Sequence, residues 1–295
     1  MTRAESATSE PWTIARVLGF ATDDFRKRNN PSPRLDAELL LTDALGIDRV
    51  RLVIESDRRL SDAEPGLYRS LIQRRRTGEP VAYILGRREF YGISFAVDRR
   101  ALVPRPDTEM LVEVALERTN ARSMYGRALD LCTGSGCVAV AFARARPTWR
   151  VTASDVSRDA LGLAWENARR AGAAFSLRVV EGDLFAPFDG ERFELITANP
   201  PYIPSAELGE LAPDIRDFEP RLALDGGADG LDVVRAVVRG ASAHLEPNGV
   251  LALEVGYDQA PRATELFERA GFVEVRVQKD YGGHERVVSG IRSAH

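Results

Sequence analysis

Asn199-Pro200-Pro201-Tyr202 sets an amide, two imino acids and an aromatic ring in consecutive positions. The run before it, Phe193 to Ala198, is apolar and β-branched enough to read as a buried strand. Neither proline can donate to a ladder and both fix φ, so the strand stops there. What remains is a stiff turn at a strand's C-terminal end, where open α/β sheets bind ligands. The Asn199 side-chain oxygen and the Pro200 carbonyl can together accept both hydrogens of a planar NH2 group, and Tyr202 offers a face to stack on. A proline pair that merely ends a strand looks the same, so the rest of the chain has to decide.

A second stretch, Leu129-Asp-Leu-Cys-Thr-Gly134-Ser-Gly136-Cys-Val-Ala139, puts a glycine-rich turn between a strand and its helix. Glycines there let backbone N–H groups approach a ligand, and the helix N-terminus adds positive potential. Gly134, Gly136 and Ala139 satisfy the loose dinucleotide spacing. Asp155 ends the next strand 21 residues after Gly134, where a carboxylate can accept from both hydroxyls of a ribose. This half fits NAD and S-adenosylmethionine equally well. Asp130, beside the pocket, suits a cationic amino acid better than a pyrophosphate. The Asn199 turn, placed across the sheet from the loop, favours methyl transfer to a planar NH2. That reaction needs an in-line lone pair more than a strong base. An amide nitrogen is a poor nucleophile because its lone pair is delocalised, and two acceptors on its hydrogens would orient it and stabilise the charge developing on attack.

These turns need a sheet to hold them, and the pattern from Ala128 onward supplies one. Strands over 128–131, 151–154, 177–180, 193–198 and 250–255 alternate with helices over 137–145, 157–171, 231–245 and 259–270. Two closing strands, 273–277 and 286–291, flank Tyr281-Gly282-Gly283. Such alternation predicts an α/β fold with a mostly parallel sheet covered by helices on both faces, closed by an antiparallel edge. Before it, residues 11–78 read as short helices: Thr13 caps Ile14 to Phe25, Ser32-Pro33 opens a helix to Leu45 stopped by Gly46, and Ser61 to Glu64 is a capping box. The run Arg74-Arg75-Arg76 reads as a helix C-terminus rather than a nucleic-acid patch. Residues from Val81 to Val97 are β formers around Gly86 and Gly92 and predict a hairpin, followed by an extended Pro104-Arg-Pro106 turn and a helix capped by Asp107 or Thr108. The domains expected are 1–80 helical, 81–103 a hairpin linker, and 104–295 the α/β part.

Across its 295 residues the chain carries 40 basic and 44 acidic side chains, a net charge of −4 that argues against general nucleic-acid binding. From Arg69 to Arg105 nine basic residues face three acidic ones, whereas from Asp189 to Asp232 eleven acidic residues face three basic ones. The acidic stretch directly after the Asn199 turn suits a basic macromolecular partner, or is simply a solvated surface. Cys132 and Cys137 are the only cysteines, and His244, His284 and His295 are scattered, so neither a disulfide framework nor a metal site is expected. The polar start with Glu5 and Glu10 lacks a signal peptide's apolar core, and no apolar run approaches the roughly 20 residues of a membrane span, which predicts a soluble cytoplasmic protein.

The stretches Leu102 to Glu109, Leu129 to Gly136, Asn199 to Ile203 and Phe218-Glu-Pro-Arg-Leu-Ala-Leu-Asp-Gly-Gly227, with Leu253-Glu-Val-Gly256 and Lys279-Asp280, resemble the bacterial protein-(glutamine-N5) methyltransferases of peptide chain release factors, the PrmC/HemK family. The Asn-Pro-Pro-Tyr turn alone is shared with adenine methyltransferases; Phe218 to Gly227 is the more specific stretch. The resemblance covers nearly the whole chain. It implies a class I S-adenosylmethionine-dependent methyltransferase fold, with a seven-stranded, mostly parallel, Rossmann-like sheet whose last strand is antiparallel, plus an N-terminal helical bundle that binds the release factor and a β-hairpin linker. It implies methylation of the glutamine in the Gly-Gly-Gln tip of class I release factors, with Asn199, Pro200, Pro201 and Tyr202 holding the glutamine. It places the cofactor against Asp130, Cys132, Thr133, Gly134, Ser135, Gly136, Asp155, Asp183, Leu184 and Asn199. Two positions depart from the family pattern. Glycine usually stands at Cys132, so cysteine is expected there with a negative φ. An aromatic residue can stand at Leu184, where leucine packs on adenine without stacking. Asp183 accepts from the adenine amino group or is a solvated loop carboxylate, and Arg105, Thr108 and Glu109 lie at the pocket mouth or cap the following helix.

Three rival readings predict other features. An adenine-N6 DNA or RNA methyltransferase would bring a basic recognition region and salt-dependent nucleic-acid affinity. An NAD-dependent oxidoreductase would bring a catalytic His or Tyr-Lys pair, but neither Lys27 nor Lys279 follows a tyrosine at helical spacing. A non-catalytic translation-factor binding module would not need Asp155 and Asn199 intact.

Overall fold

A computed structural model describes residues 11–121 and 123–293 of the chain. Glu5, Glu10 and His295 lie outside the described residues. The chain divides into two compact units, residues 1–85 and 86–295.

The first unit is helical: α1 Ile14–Lys27, α2 Pro33–Leu45, α3 Arg49–Ile54, α4 Glu64–Arg76 and α5 Val81–Leu85. Thr13 caps α1 by accepting from the Arg16 N–H, and Gly46 ends α2 in the left-handed region, as the spacing predicts. Helix α3, capped by Asp48, has too few residues to show a period and was not anticipated. The expected capping box is only half present. Glu64 accepts from the Ser61 N–H at 2.7 Å, but α4 starts at Glu64 itself, with Pro65 in its first turn. Phe25, Leu40 and Leu41 fill the core at 0–1% exposure, each contributing about 1.5–3 kcal/mol of burial. The arginines closing α4 are committed to carboxylates of the same unit: Arg74 to Glu79, Arg75 to Asp36 and Arg76 to Asp24, at 2.6–2.8 Å. Val81–Leu85 is helical, not the first half of a hairpin; Tyr83 and Ile84 are buried there, and burial in a helix has overridden their β preference.

The second unit opens with the hairpin β1 Arg87–Phe90 and β2 Ile93–Ala96, followed by α6 Glu109–Arg118. The sheet is then built from β3 Arg127–Leu131, β4 Arg150–Asp155, β5 Leu177–Glu181, β6 Phe193–Ala198, β7 Leu245–Glu254, β8 Phe272–Lys279 and β9 Glu285–Arg292. Helices α7 Cys137–Ala145, α8 Arg158–Arg170, α9 Pro213–Arg216, α10 Asp232–His244 and α11 Ala260–Arg269 connect them. The strand order is β5-β4-β3-β6-β7-β9-β8, and β9 alone runs against its neighbours. The antiparallel strand is thus inserted between β7 and β8 rather than lying at the edge. Helices α10 and α11 cover one face and α6, α7 and α8 the other. Strand β6 and residues 250–254 of β7 are buried on both faces, which is why they read as mostly apolar runs. Strand β7 starts at Leu245, five residues earlier than expected. The Pro247-Asn248-Gly249 turn survives inside it as an irregularity, with Asn248 at φ +62° and the register jumping from Phe193↔Leu245 to Leu195↔Val250.

The chain winds outward from β3 through β4 to β5 and returns on the other side of β3 as β6. The C-terminal ends of β3 and β6 therefore flank a topological switch point, where the crevice of an open α/β sheet lies. Their register pairs Leu131 with Ala198. The glycine loop and the Asn199 turn leave adjacent strands, not opposite parts of the sheet as the sequence reading had it. The hairpin is held by one buried side chain: Asn167 on α8 accepts from the Ala96 N–H at 2.7 Å and donates to the Ala96 and Ser135 carbonyls. Among the described residues no helix is long and apolar enough to cross a membrane.

Candidate functional site

A cavity of about 410 Å³ opens at the switch point, large enough for a cofactor-sized molecule. It is lined by Asp130, Cys132, Thr133, Gly134, Ser135, Asp155, Asp183, Leu184, Asn199 and Pro201 of the residues expected from sequence. Gly136, Pro200 and Tyr202 do not line it. Gly136 instead starts α7 at φ +78°, and a Cβ there would come within 2.9 Å of the Ala164 Cβ, so its role is the close packing of α7 on α8. Pro200 is buried within the turn.

Asp130 is 3% exposed and accepts from the Thr133 hydroxyl at 2.6 Å and the Thr197 hydroxyl at 2.7 Å. Burial pushes its carboxyl up to about 6, against those two hydroxyls. It faces the cavity while tying the loop to β6, a structural task the sequence reading did not give it. Asp155 accepts from the Gly134 N–H and the Ser157 N–H, both at 2.9 Å. Burial raises its carboxyl above the usual range, and the two N–H groups oppose this. Asp183 is exposed at the rim beside Leu184.

Cys132 contradicts the expectation of a negative φ: it sits at +53°, in the left-handed region. The next residues hold it there, through the Thr133 N–H on the Ser154 carbonyl at 3.0 Å and the Gly136 N–H on the Thr133 carbonyl at 2.8 Å. The cysteine side chain packs against the main core. Leu184, which also lines the cavity, is left-handed too at +46°. Each such residue stores about 1–2 kcal/mol of strain at the site.

On the turn, the Asn199 Nδ2 donates to the Thr108 hydroxyl at 3.2 Å. Thr108 makes no side-chain cap for α6, and the Glu109 carboxylate accepts from the Tyr91 N–H at 2.9 Å, so neither serves as the helix cap considered from sequence. The turn is clasped from outside. A Cβ on Gly226 would meet the Pro201 carbonyl and the Tyr202 Cα at 2.8 Å, and the Gln259 Nε2 donates to the Tyr202 carbonyl at 2.9 Å. Burial, with Glu254 nearby, pushes the Tyr202 phenol up to about 12, so it stays protonated. Arg105 holds Glu219 through two contacts of 2.8 Å, and the Arg99 guanidinium lies 4.6 Å over the Phe218 ring. Together they fasten the segment carrying Pro220, Leu222 and Ala223 along the cavity wall. Sequence reasoning missed Glu254, buried at the end of β7 beside Thr108 and Asn199. Only its quoted place in Leu253-Glu-Val-Gly256 signalled it.

Two predictions follow from strain and burial. At Cys132 a glycine variant should be more stable than an alanine variant by about 1 kcal/mol, measured by chemical denaturation, because only glycine escapes the left-handed penalty. A reversed order would remove the strain. Burial also raises Glu254 to about 7. Glu254 and Asp130 thus keep their protons to higher pH when folded than when unfolded. Their stabilising contribution is present below the unfolded values near 4 and is lost as pH rises towards 7. Carboxylates held low by arginine, such as Asp24 and Asp98, have completed their contribution well below this window. The melting temperature of the ligand-free protein should fall from pH 5 to 7.5, and fall less in Glu254→Gln.

Residues 16–86 match the PrmC N-terminal domain, and residues 106–211 match the Methyltransferase small domain. A release factor glutamine methyltransferase of Geobacter sulfurreducens is 43% identical over 95% of this chain and 97% of its own length. One of Moorella thermoacetica is 42% identical over 95% of this chain and 99% of its own. The crystal structure of a methyltransferase from Pyrococcus furiosus, 19% identical with a TM-score of 0.52 over 69% of this chain and 91% of that one, shares the fold. With a mostly parallel seven-stranded sheet, a cavity at its switch point and relatives matching end to end, the chain belongs to the release factor glutamine methyltransferase family.

Proposed function

We propose that the protein transfers a methyl group from S-adenosylmethionine to the side-chain amide nitrogen of the glutamine in the Gly-Gly-Gln tip of class I release factors, in the cytoplasm. The observation that carries this is the orientation of Asn199. Its NH2 is engaged by the Thr108 hydroxyl, which leaves its oxygen as the polar atom offered to a substrate NH2. The cavity fits the cofactor: carboxylates at Asp155 and Asp183 suit ribose hydroxyls and an adenine amino group, and Leu184 suits an adenine face. When bound, that cofactor supplies an electrophilic methyl carbon on a sulfonium, which leaves as a neutral thioether. The protein's own part is positioning: Asn199 and the Pro200 carbonyl hold the amide hydrogens and align the nitrogen lone pair, and the proton released after transfer passes to solvent.

We also assign residues 1–80 to gripping the body of the release factor, with 81–103 as linker and 104–295 as the transferase. Trp12 and Phe20 are 46% and 58% exposed along a groove between α1 and α4, and the Arg16 guanidinium lies over Trp12. Exposed aromatics beside arginine are the residue types enriched at binding hot spots.

Incubation with radiolabelled S-adenosylmethionine should label an intact release factor and leave a factor whose tip glutamine is alanine unlabelled. Asn199→Ala should lower the rate by roughly 10²–10³. Label entering DNA or RNA instead would transfer the site to the adenine reading. Phe20→Glu should raise KM for the whole factor while leaving methylation of a Gly-Gly-Gln peptide unchanged; equal loss on both would remove the helical unit from recognition.

A further inference from the structure

An asparagine amide is nearly symmetric in shape, and its two ends differ only in hydrogen bonding. A turn that must accept from a substrate NH2 works with Asn199 in one orientation only. Turned round, two donors would face two donors. Something behind the turn has to select the orientation, and the neighbours show what does. The Asn199 NH2 donates to the Thr108 hydroxyl at 3.2 Å, and the Glu254 carboxyl is buried beside both side chains. Glu254 ends β7, one residue beyond the Ala198↔Leu253 pair that sets β6 beside it. Its side chain is 1% exposed, and its Oε2 has no hydrogen-bond partner. Among the described residues no ion pair within salt-bridge distance accounts for it either. The nearby Arg286 guanidinium is engaged by Asp280 at 3.1 Å, Asp107 at 3.5 Å and the Val255 carbonyl at 3.3 Å. A buried carboxyl with an open acceptor is costly to keep, and a well-packed apolar side chain would suit a purely structural position better.

We propose that Glu254 is a positioning residue for the transfer: with Thr108 it locks the Asn199 amide so that the oxygen, not the NH2, meets the substrate nitrogen. This rests on the reading of the site as a glutamine methyltransferase. An ionised carboxylate can only accept, from the Thr108 hydroxyl or the Asn199 NH2, so the relay runs one way. Protonated, the carboxyl can donate to the Thr108 hydroxyl, which frees that hydroxyl to donate to the Asn199 oxygen and turns the amide round. An ionised Glu254 also polarises the Asn199 amide, making its oxygen a stronger acceptor as positive charge develops on the attacked nitrogen. The other titratable and charged groups facing Glu254 are Asp107 before α6, Cys137 on α7, Tyr202 on the turn and Arg286 on β9. Asp107 raises the carboxyl and Arg286 lowers it, while burial dominates and brings it to about 7, inside the range where an assay can follow it.

The test is the pH profile of kcat for release factor methylation in wild type, Glu254→Gln and Thr108→Val, with cofactor affinity measured alongside. Wild type should lose kcat as pH falls below about 7. Glu254→Gln, whose amide donates whatever the pH, should lower kcat about 10-fold to 100-fold, leave KM for the factor and cofactor affinity nearly unchanged, and abolish the acid limb. Thr108→Val should lower kcat likewise, and Thr108→Ser should restore it. Should Glu254→Gln fail to fold, the Thr108 pair carries the decision. Wild-type kcat in Glu254→Gln with its acid limb intact, or no rescue by serine, would overturn the assignment. A wild-type protein that binds cofactor but labels no release factor would instead overturn the function on which it rests.

Discussion

The site depends on the buried carboxylate of Asp130. One oxygen accepts from Thr133 in the glycine loop and the other from Thr197 on the neighbouring strand, at 2.6 and 2.7 Å. Each partner lies close to the feature it fixes: Thr133 opens the loop, and Thr197 stands two residues before Asn199. Taking a carboxyl out of water is costly, and its elevated ionisation range reflects that penalty. In return, two segments that must cooperate are tied through one side chain at the point where the strand order reverses. Two further contacts, from the Gly134 N–H to Asp155 and from the Thr133 N–H to the Ser154 carbonyl, extend the tie to β4. The cavity floor is thus a hydrogen-bonded unit spanning three adjacent strands.

The Asn199 turn is braced from behind with the same economy. Glycine is required at Gly226 and Gly230 because any Cβ would collide with backbone of the turn, at 2.8 Å from the Pro201 carbonyl and 2.3 Å from the Tyr202 carbonyl. Gln259 closes the clasp, donating to the Tyr202 carbonyl and accepting from the Gly256 N–H at 2.9 Å. These contacts give the stretch ending in Gly226-Gly227 a structural task. It presses against the turn backbone, and its earlier residues Phe218 and Glu219 are fastened by Arg99 and Arg105.

Much of this could be read from the chain because it is written in local rules. The strand 193–198 and the helix 137–145 have the bounds that their apolar runs predict, and Thr13 caps α1 as its type demands. The readings that failed did so where distant residues decide. Val81–Leu85 has the composition of a strand and is a helix because burial of Tyr83 and Ile84 outweighs propensity. Cys132 takes a backbone conformation that its residue type disfavours because the loop's hydrogen bonds over-determine it. Thr108 reads as a helix cap, yet its hydroxyl meets an asparagine 91 positions away. Asn167 and Glu254 gave little signal, since a lone buried polar residue in an apolar pattern looks like a surface position until its partners are known.

The distribution of costly features is itself informative. Two of the left-handed residues, Cys132 and Leu184, the elevated carboxyls of Asp130 and Asp155, and Glu254 with its unpartnered Oε2 lie around the ends of β3, β4, β5 and β7. The helical unit is built from close-packed leucine and phenylalanine, with its arginines paired to carboxylates. Strain and buried charge persist only where surrounding structure holds them and where relaxing them would undo the geometry a ligand needs. In this fold the surrounding structure is the doubly covered sheet, whose apolar core on both faces supplies the stability. The polar atoms it forces into place converge on one cavity, and there the chain's departures from local preference become the arrangement that can hold an amide for attack.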